Sequence, residues 1–427
     1  MKNYKIFKSL VLAFVLIHSV LNLTAQTNIS SPYSRYGLGQ INQNFSVKAM
    51  SMGGVSIANR QNDFVNIANP ASYSAFDTTS FVFDGGINGI FGQLKNKNNE
   101  AFTSNLSLSY LLFGFPVSRK FAVSFGLIPY SNIGYNLSDS NLIADIGNIN
   151  YNYKGEGGFN RFFGGVSYNI TKGLSVGANV SYLFGSLNKT RTVTFPESVN
   201  VYSIRESNAY RVSDIILDYG LLYEKKLNND NILSLGLIAG LKSNVNANAS
   251  TLTESFSGVN YGSNYIKDTI ENSTAKGNIV LPPYYGGGLM FKKSNKWLVG
   301  VDYKFQEWSK FSSFGVLDSL KNSMQAALGF CIFPSNSLSN SIFKKSTYRI
   351  GFRAAQTYLQ LKNTQLNEYG ISFGFGFPMQ RSRSTINIGF ELGQRGTVEN
   401  NLIKETFGMV SLSLAIYERW FIRRKYE

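Results

Sequence analysis

Apolar and polar residues alternate with a period of two along most of this chain. In NLSLSYLLFGF, Leu106, Leu108, Tyr110 and Leu112 take one face, and Asn105, Ser107 and Ser109 the other. In GLSVGANVSYLFG, Leu174, Val176, Ala178, Val180, Tyr182 and Phe184 oppose Ser175, Gly177, Asn179 and Ser181. In STINIGFELG, Ile386, Ile388, Phe390 and Leu392 oppose Asn387, Gly389, Glu391 and Gly393. In GMVSLSLAIY, Val410, Leu412, Leu414 and Ile416 oppose Ser411, Ser413 and Ala415. Period two is the strand period. These segments run to about 11–15 residues, where strands in globular sheets average five or six. That length suits a tilted crossing of a bilayer.

Fourteen strands are predicted, near 79–94, 101–115, 120–133, 149–170, 173–186, 206–226, 231–246, 276–292, 296–309, 321–333, 346–359, 367–379, 383–395 and 404–421. The links after even-numbered strands are mostly short: VSRK, ITKG, KLNND, KSNK and QRSR. Those after odd-numbered strands include long loops at YNLSDSNLIADIGN, 187–204 and 247–275; the link 334–346 is long where a short turn is expected. Short turns on one side and long loops on the other are the plan of an outer-membrane barrel. The predicted fold is therefore all-β, a transmembrane antiparallel β-barrel of about 14 strands with both chain ends periplasmic. Trp308, Tyr417, Trp420 and Phe421, near strand ends, are expected in an interfacial girdle. The 40 glycines are many for strands. On a lumen face they leave room for something packed close inside.

The start of the chain differs. Lys2, Lys5 and Lys8, an apolar run from Leu10 to Leu23, and a small-residue exit at Ala25 have the layout of a secretory signal peptide, residues 1–25. His18 is the sole histidine and Cys331 the sole cysteine. Without the signal segment, disulfides, histidine metal sites, thiolate zinc sites and His-dependent triads are excluded. No catalytic residues, metal or cofactor are expected, and the chain is not predicted to be an enzyme. The formal charge of +16 fits contact with anionic lipid phosphates as well as a solvated surface. No nucleic-acid partner is expected.

Residues 26–78 show little alternation, and residues 79–427 form the barrel. Gly53 and Gly54 permit tight backbone. Asn62 and Asp63 are placed to cap a short helix from Phe64, which Pro70 would end. A lumen of fourteen strands is too wide for its own side chains to fill. A plug of short helices and turns, a hatch, is the economical reading. Asp302, Arg349, Arg353, Glu391 and Arg395 fall on polar strand faces. They are expected to hold the hatch by ion pairs or to meet a ligand headgroup, with pairing favoured.

The string AMSMGGVSIANRQNDFVNIANPAS resembles the amino-terminal signature of the FadL/TodX-like outer-membrane transport proteins (the OMPP1/FadL/TodX family). SPYSRYGLGQ resembles the leader of its Bacteroidetes branch, and LPPYYGGGL, WLVGVDYKFQEWSKF and ERWFIRRKYE match further along. The resemblance implies a fourteen-stranded barrel with an amino-terminal hatch in a Gram-negative outer membrane, bounded by lipid and lipopolysaccharide. It implies passive transport of a hydrophobic small molecule. It places Asn69, Pro70 and Ala71 in the hatch beside Gly53 and Gly54. It also implies a kinked third strand that opens the wall sideways, here at Gly126 and Pro129 of SFGLIPYSNIGYN. The family's ligand contacts do not carry over. A related branch, the shuttle component of the type IX secretion system, is similar and binds proteins, so secretion-system proteins are the alternative partners.

Overall fold

Fourteen antiparallel strands close on themselves. They are β1 Ser80–Lys95, β2 Glu100–Pro116, β3 Phe121–Ile143, β4 Gly147–Asn169, β5 Leu174–Thr194 and β6 Ser203–Lys226. Then come β7 Asn231–Gly240, resumed at Ser243–Ser257, and β8 Tyr265–Leu281, resumed at Tyr284–Lys293. The circuit ends with β9 Trp297–Gln306, β10 Ser323–Ile332, β11 Thr347–Leu361, β12 Thr364–Pro378, β13 Thr385–Arg395 and β14 Lys404–Arg419. β14 returns to β1, with Lys404 opposite Lys95 and Arg419 opposite Ser80. The computed structural model describes residues 29–419, apart from 44, 197, 198, 200, 258–264, 295, 335–340, 380 and 381. The expected signal peptide and the tail with Trp420 and Phe421 lie outside the described residues.

The alternation places faces as expected on most strands. Ser175, Asn179, Ser181, Asn387 and Glu391 are buried, while Val180, Tyr182, Ile386, Phe390 and Leu392 are exposed. β2 departs from it. Leu106 and Leu108 are exposed, yet Tyr110 and Leu112, expected on the same face, are buried. The register shows why: Gly86 faces Tyr110 and Ile87 faces Leu108, so Ser109 is an extra residue. A bulge of one residue turns all later side chains to the opposite face.

The expected long loops are largely strand. β3 and β4 are 23 residues each and meet across residues 144–146. β5 runs on to Thr194, and the 247–275 link is mostly paired strand, with Glu254 opposite Thr269. The backbones go on pairing where Ser138, Asp139 and Ser140 are exposed. Side chains that are polar on both faces hide the strand period there. β9 and β10, across the barrel, are 10 residues each, so the wall is tall on one side only. In the 334–346 link, Ile342–Lys345 makes one helical turn. Trp308 and Tyr417 are not girdle residues. Trp308 is buried, with its ring 4.6 Å from that of Tyr358 and 5.7 Å from that of Phe311. Tyr417 is buried and its hydroxyl donates to Asp77 Oδ2 at 2.6 Å.

Residues 29–79 pack inside the barrel. Val55, Ala58, Val65, Ala71 and Tyr73 of this lumenal segment are fully buried. Its short helices are Pro32–Arg35, Val47–Met50 and Pro70–Ala75. The helix expected from Phe64 is absent, and Pro70 starts a helix instead of ending one. Asn69 is extended (φ −133°) and its side chain accepts from Ala71 N, while Pro70 supplies a first helical residue whose N–H is dispensable. Asn62 and Asp63 bond to Asp77 and Lys48 and cap nothing. The segment's first described residue, Ile29, lies against Gly134 in β3, not at the periplasmic end.

Wall glycines admit this segment. A Cβ on Gly351 would lie 2.0 Å from Met52 C and Gly53 N, and one on Gly236 would lie 2.1 Å from Ile57 O. Backbone thus rests on backbone. We predict that Gly351→Ala, an overpacking that costs about 1–3 kcal/mol, lifts the segment and speeds its cleavage by added protease. Gly164→Ala, with nothing within 4 Å of the new methyl, should leave the cleavage rate unchanged.

Candidate functional site

The ladder between β2 and β3 stops early. It pairs Pro116 with Ala122 through Leu111 with Leu127 and goes no further. Gly126 sits at this limit, where a Cβ would lie 2.4 Å from Leu111 O. Pro129, just beyond, has no N–H to donate. On its other side β3 pairs with β4 throughout, with a shift between Pro129 and Ser131 that leaves Tyr130 as the extra residue.

The lumenal segment occupies the free edge of β3. Gln40 and Ile41 form a two-residue strand opposite Asn132 and Ser131. Asn42 N donates to Tyr130 O at 2.9 Å and Ser31 N to Gly134 O at 2.8 Å. Gly134 N donates to Ser34 Oγ at 3.1 Å. Ser30 Oγ reaches Asn105 on β2 at 3.2 Å. Sequence reasoning missed these residues, since two residues show no periodicity.

Behind the interruption lies a cavity of 390 Å³. Ile41, Met50 and Ile57 line it from the segment, and Ile128, Pro129 and Leu108 from the wall. Leu108, which lines the cavity at this interruption, is 40% exposed.

Of the five expected lumenal charges, Arg353, Glu391 and Arg395 are in ion pairs, and Asp302 and Arg349 are held by uncharged groups. Arg353, 5% exposed, gives Nη1 to Glu368 Oε1 and Nη2 to Glu391 Oε1, both at 2.5 Å. Arg395 Nε meets Glu368 Oε2 at 2.5 Å, and its Nη1 meets Glu405 Oε2 at 3.4 Å and Gln40 Oε1 at 2.7 Å. Ser31 Oγ donates to Glu405 Oε1 at 2.5 Å. The chain of charges on β11–β14 therefore ends on Ser31 and Gln40. Asp302 Oδ2 accepts from Ser56 N at 2.6 Å and Ile57 N at 2.8 Å. Arg349 stands apart, donating to Asn387 Oδ1 at 3.4 Å.

Sequence reasoning missed a second cluster. Arg161 Nη1 meets Asp218 Oδ2 at 2.9 Å, Tyr284 Oη donates to Asp218 Oδ1 at 2.7 Å, and Lys304 Nζ stands 4.4 Å from the Tyr284 ring centre. All four line the cavity. The available signal was parity: Arg161 shares its strand face with Gly165 and Ser167.

The Asn-Pro-Ala motif ties the segment to the wall. Asn69 Nδ2 donates to Ile57 O at 2.7 Å and to Leu221 O of β6 at 3.1 Å. Ser167 Oγ of β4 donates to Ala71 O at 2.9 Å. Gly53 (φ +70°) and Gly54 (φ +93°) hold left-handed backbone that favours glycine. Gly53 N donates to Ser372 Oγ of β12 at 2.8 Å. Within the segment Lys48 Nζ meets Asp63 Oδ2 at 2.6 Å. Burial alone would raise the Asp63 carboxyl, but the Lys48 ammonium holds it below the ordinary carboxylate value.

This closed antiparallel barrel with an inner segment has the fold of outer-membrane channels of the FadL kind. The chain belongs to the BamG family, whose model matches residues 6–427. Among solved structures, the toluene transporter TodX of Pseudomonas putida is 15% identical with a TM-score of 0.56, covering 89% of this chain and 99% of its own. A Pseudomonas aeruginosa FadL homologue is 11% identical, TM-score 0.57, covering 88% and 98%. The CymD monoaromatic hydrocarbon channel is 15% identical, TM-score 0.53, covering 90% and 99%. No curated protein matches the chain.

Two predictions follow from the pairing. Arg353→Met leaves Glu368 and Glu391 without their shared guanidinium, and should destabilise the barrel by about 3–5 kcal/mol in urea unfolding from lipid. Lys48→Met should loosen the segment at neutral pH, read as faster amide exchange at 46–66. Because the folded Asp63 value is depressed, the pair stabilises above the unfolded carboxyl value, near 3.9. That stabilisation is lost as pH falls through the folded value. The two proteins should therefore converge only in strong acid.

Proposed function

We propose that this barrel carries small apolar molecules from outside into the lumenal cavity and releases them sideways between β2 and β3 into the bilayer, with residues 29–79 as the hatch. The supporting observation is that both lips of the ladder interruption, Leu108 on β2 and Pro129 on β3, line one cavity. An apolar molecule leaving through the periplasmic mouth would meet water at about 0.8 kcal/mol per methylene. A long chain then faces several kcal/mol, which a sideways exit avoids. Lipid satisfies no backbone group, and the hatch strand at Gln40–Ile41 covers the β3 edge that the exit exposes. Movement is passive in this reading. The hydrocarbon channels of the same fold carry cargo of this class by name, which fits.

A second reading, docking of a protein of a secretion machine, draws on the one-sided height of the wall. There Leu142, Tyr202, Tyr265 and Ile270 are exposed beyond the bilayer.

The transport reading predicts that Pro129→Val, which restores a backbone donor and β propensity, narrows the exit. Uptake of a fluorescent long-chain ligand should slow severalfold in cells making equal amounts of folded barrel. Equal rates for the two proteins would favour the docking reading or another exit.

A further inference from the structure

Charges outside the lumen are arranged unlike those inside it. The turn between β2 and β3 exposes Arg119 and Lys120, that between β4 and β5 exposes Lys172, and the end of β6, leading into the turn to β7, exposes Lys225 and Lys226. The link between β10 and β11 exposes Lys344. Among the described residues none of these six is in an ion pair. The carboxylates at the same rim are fewer: Glu224, Asp230 and Glu418, with Asp77 taken by Arg383 and Tyr417. All these links are on the periplasmic side, because each follows an even-numbered strand.

Each of these turns also exposes an apolar residue within three positions of its cations. Val117, 58% exposed, precedes Arg119; Ile170 precedes Lys172; Leu227 follows Lys226; Phe343, 67% exposed, precedes Lys344. An apolar side chain beside a long cation is the pattern of a membrane interface, with the first among acyl chains and the second reaching phosphate. The turns are also spread around the circumference, from β2 to β11. One soluble acidic protein would meet part of such a ring. An annulus of lipid meets all of it.

We infer that the periplasmic rim binds the phosphate groups of anionic phospholipid in the adjoining leaflet. The apolar turn residues hold the acyl chains, and Arg119, Lys120, Lys172, Lys225 and Lys226 hold the headgroups. Juxtamembrane cations attract an anionic surface in proportion to their number, and salt weakens the attraction. The inference is independent of any cargo in the cavity.

The test uses the full mature chain in detergent micelles with equal phosphatidylglycerol and phosphatidylcholine, and counts retained lipids by native mass spectrometry. The natural protein should retain phosphatidylglycerol over phosphatidylcholine. Replacing the five headgroup cations by glutamine should reduce phosphatidylglycerol retention on the order of tenfold, as should high salt, with phosphatidylcholine unchanged. Heat-dependent gel migration checks that the variant barrel is folded. Equal retention of the two lipids by the natural protein would overturn the inference, as would a preference that survives neutralisation. Complete displacement by equimolar inorganic phosphate would also overturn it, by showing a free-phosphate site. So would capture of a soluble acidic protein without any phosphatidylglycerol preference.

Discussion

A backbone hydrogen-bonding group left unpaired in lipid costs several kcal/mol, and this constraint organises the molecule. Closure of β14 on β1 meets it for most of the wall. The ladder between β2 and β3 does not, because it stops at Leu111 and Leu127. The same chain supplies the missing partner from within: Gln40, Ile41 and Asn42, with Ser31 and Ser34, satisfy the free edge of β3 between Tyr130 and Gly134. Wall and lumenal segment are therefore parts of one hydrogen-bonded structure.

Side-chain chemistry follows that arrangement. Where the hatch lies on the wall, glycine removes the side chains between two backbones, as Gly351 does under Met52 and Gly53. Where it lies off the wall, buried charges span the space. Arg353, Glu368, Arg395 and Glu405 are paired in sequence, and the last two also bond Gln40 and Ser31. A buried ion pair is a weak source of net stability, and its loss on one side is expensive. Such a chain fixes the position of the lumenal segment more than it strengthens the barrel. Among the described residues, Arg119, Lys120, Lys172, Lys225 and Lys226 have no ion-pair partner of this kind.

Much of this was legible in the sequence. Period two gave the strands, turn lengths gave their direction, and the polar faces picked out Asp302, Arg353, Glu391 and Arg395. The errors have physical causes. Ser109 is a bulge, and a single extra residue leaves no mark on composition while it inverts Tyr110 and Leu112. Polar side chains on both faces, as at Ser138, Asp139 and Ser140, hide the strand period, although β3 continues to Ile143. A proline after an extended residue marks a boundary without saying which side is helical, and Pro70 opened a helix. The Arg161–Asp218 pair joins β4 to β6 across the intervening strand, and no local pattern encodes that distance.

The lumenal segment completes the β2–β3 side of the wall by backbone pairing at the edge of β3. Residue-resolved amide exchange of the full chain in lipid bilayers tests it at Ser31, Asn42 and Gly134, whose N–H groups make the bridging bonds. These amides should exchange as slowly as those in the closed ladder between β12 and β13. Exchange at the rate of the exposed turn at Lys362 and Asn363 would mean that the edge of β3 is open to solvent and that the hatch merely sits nearby.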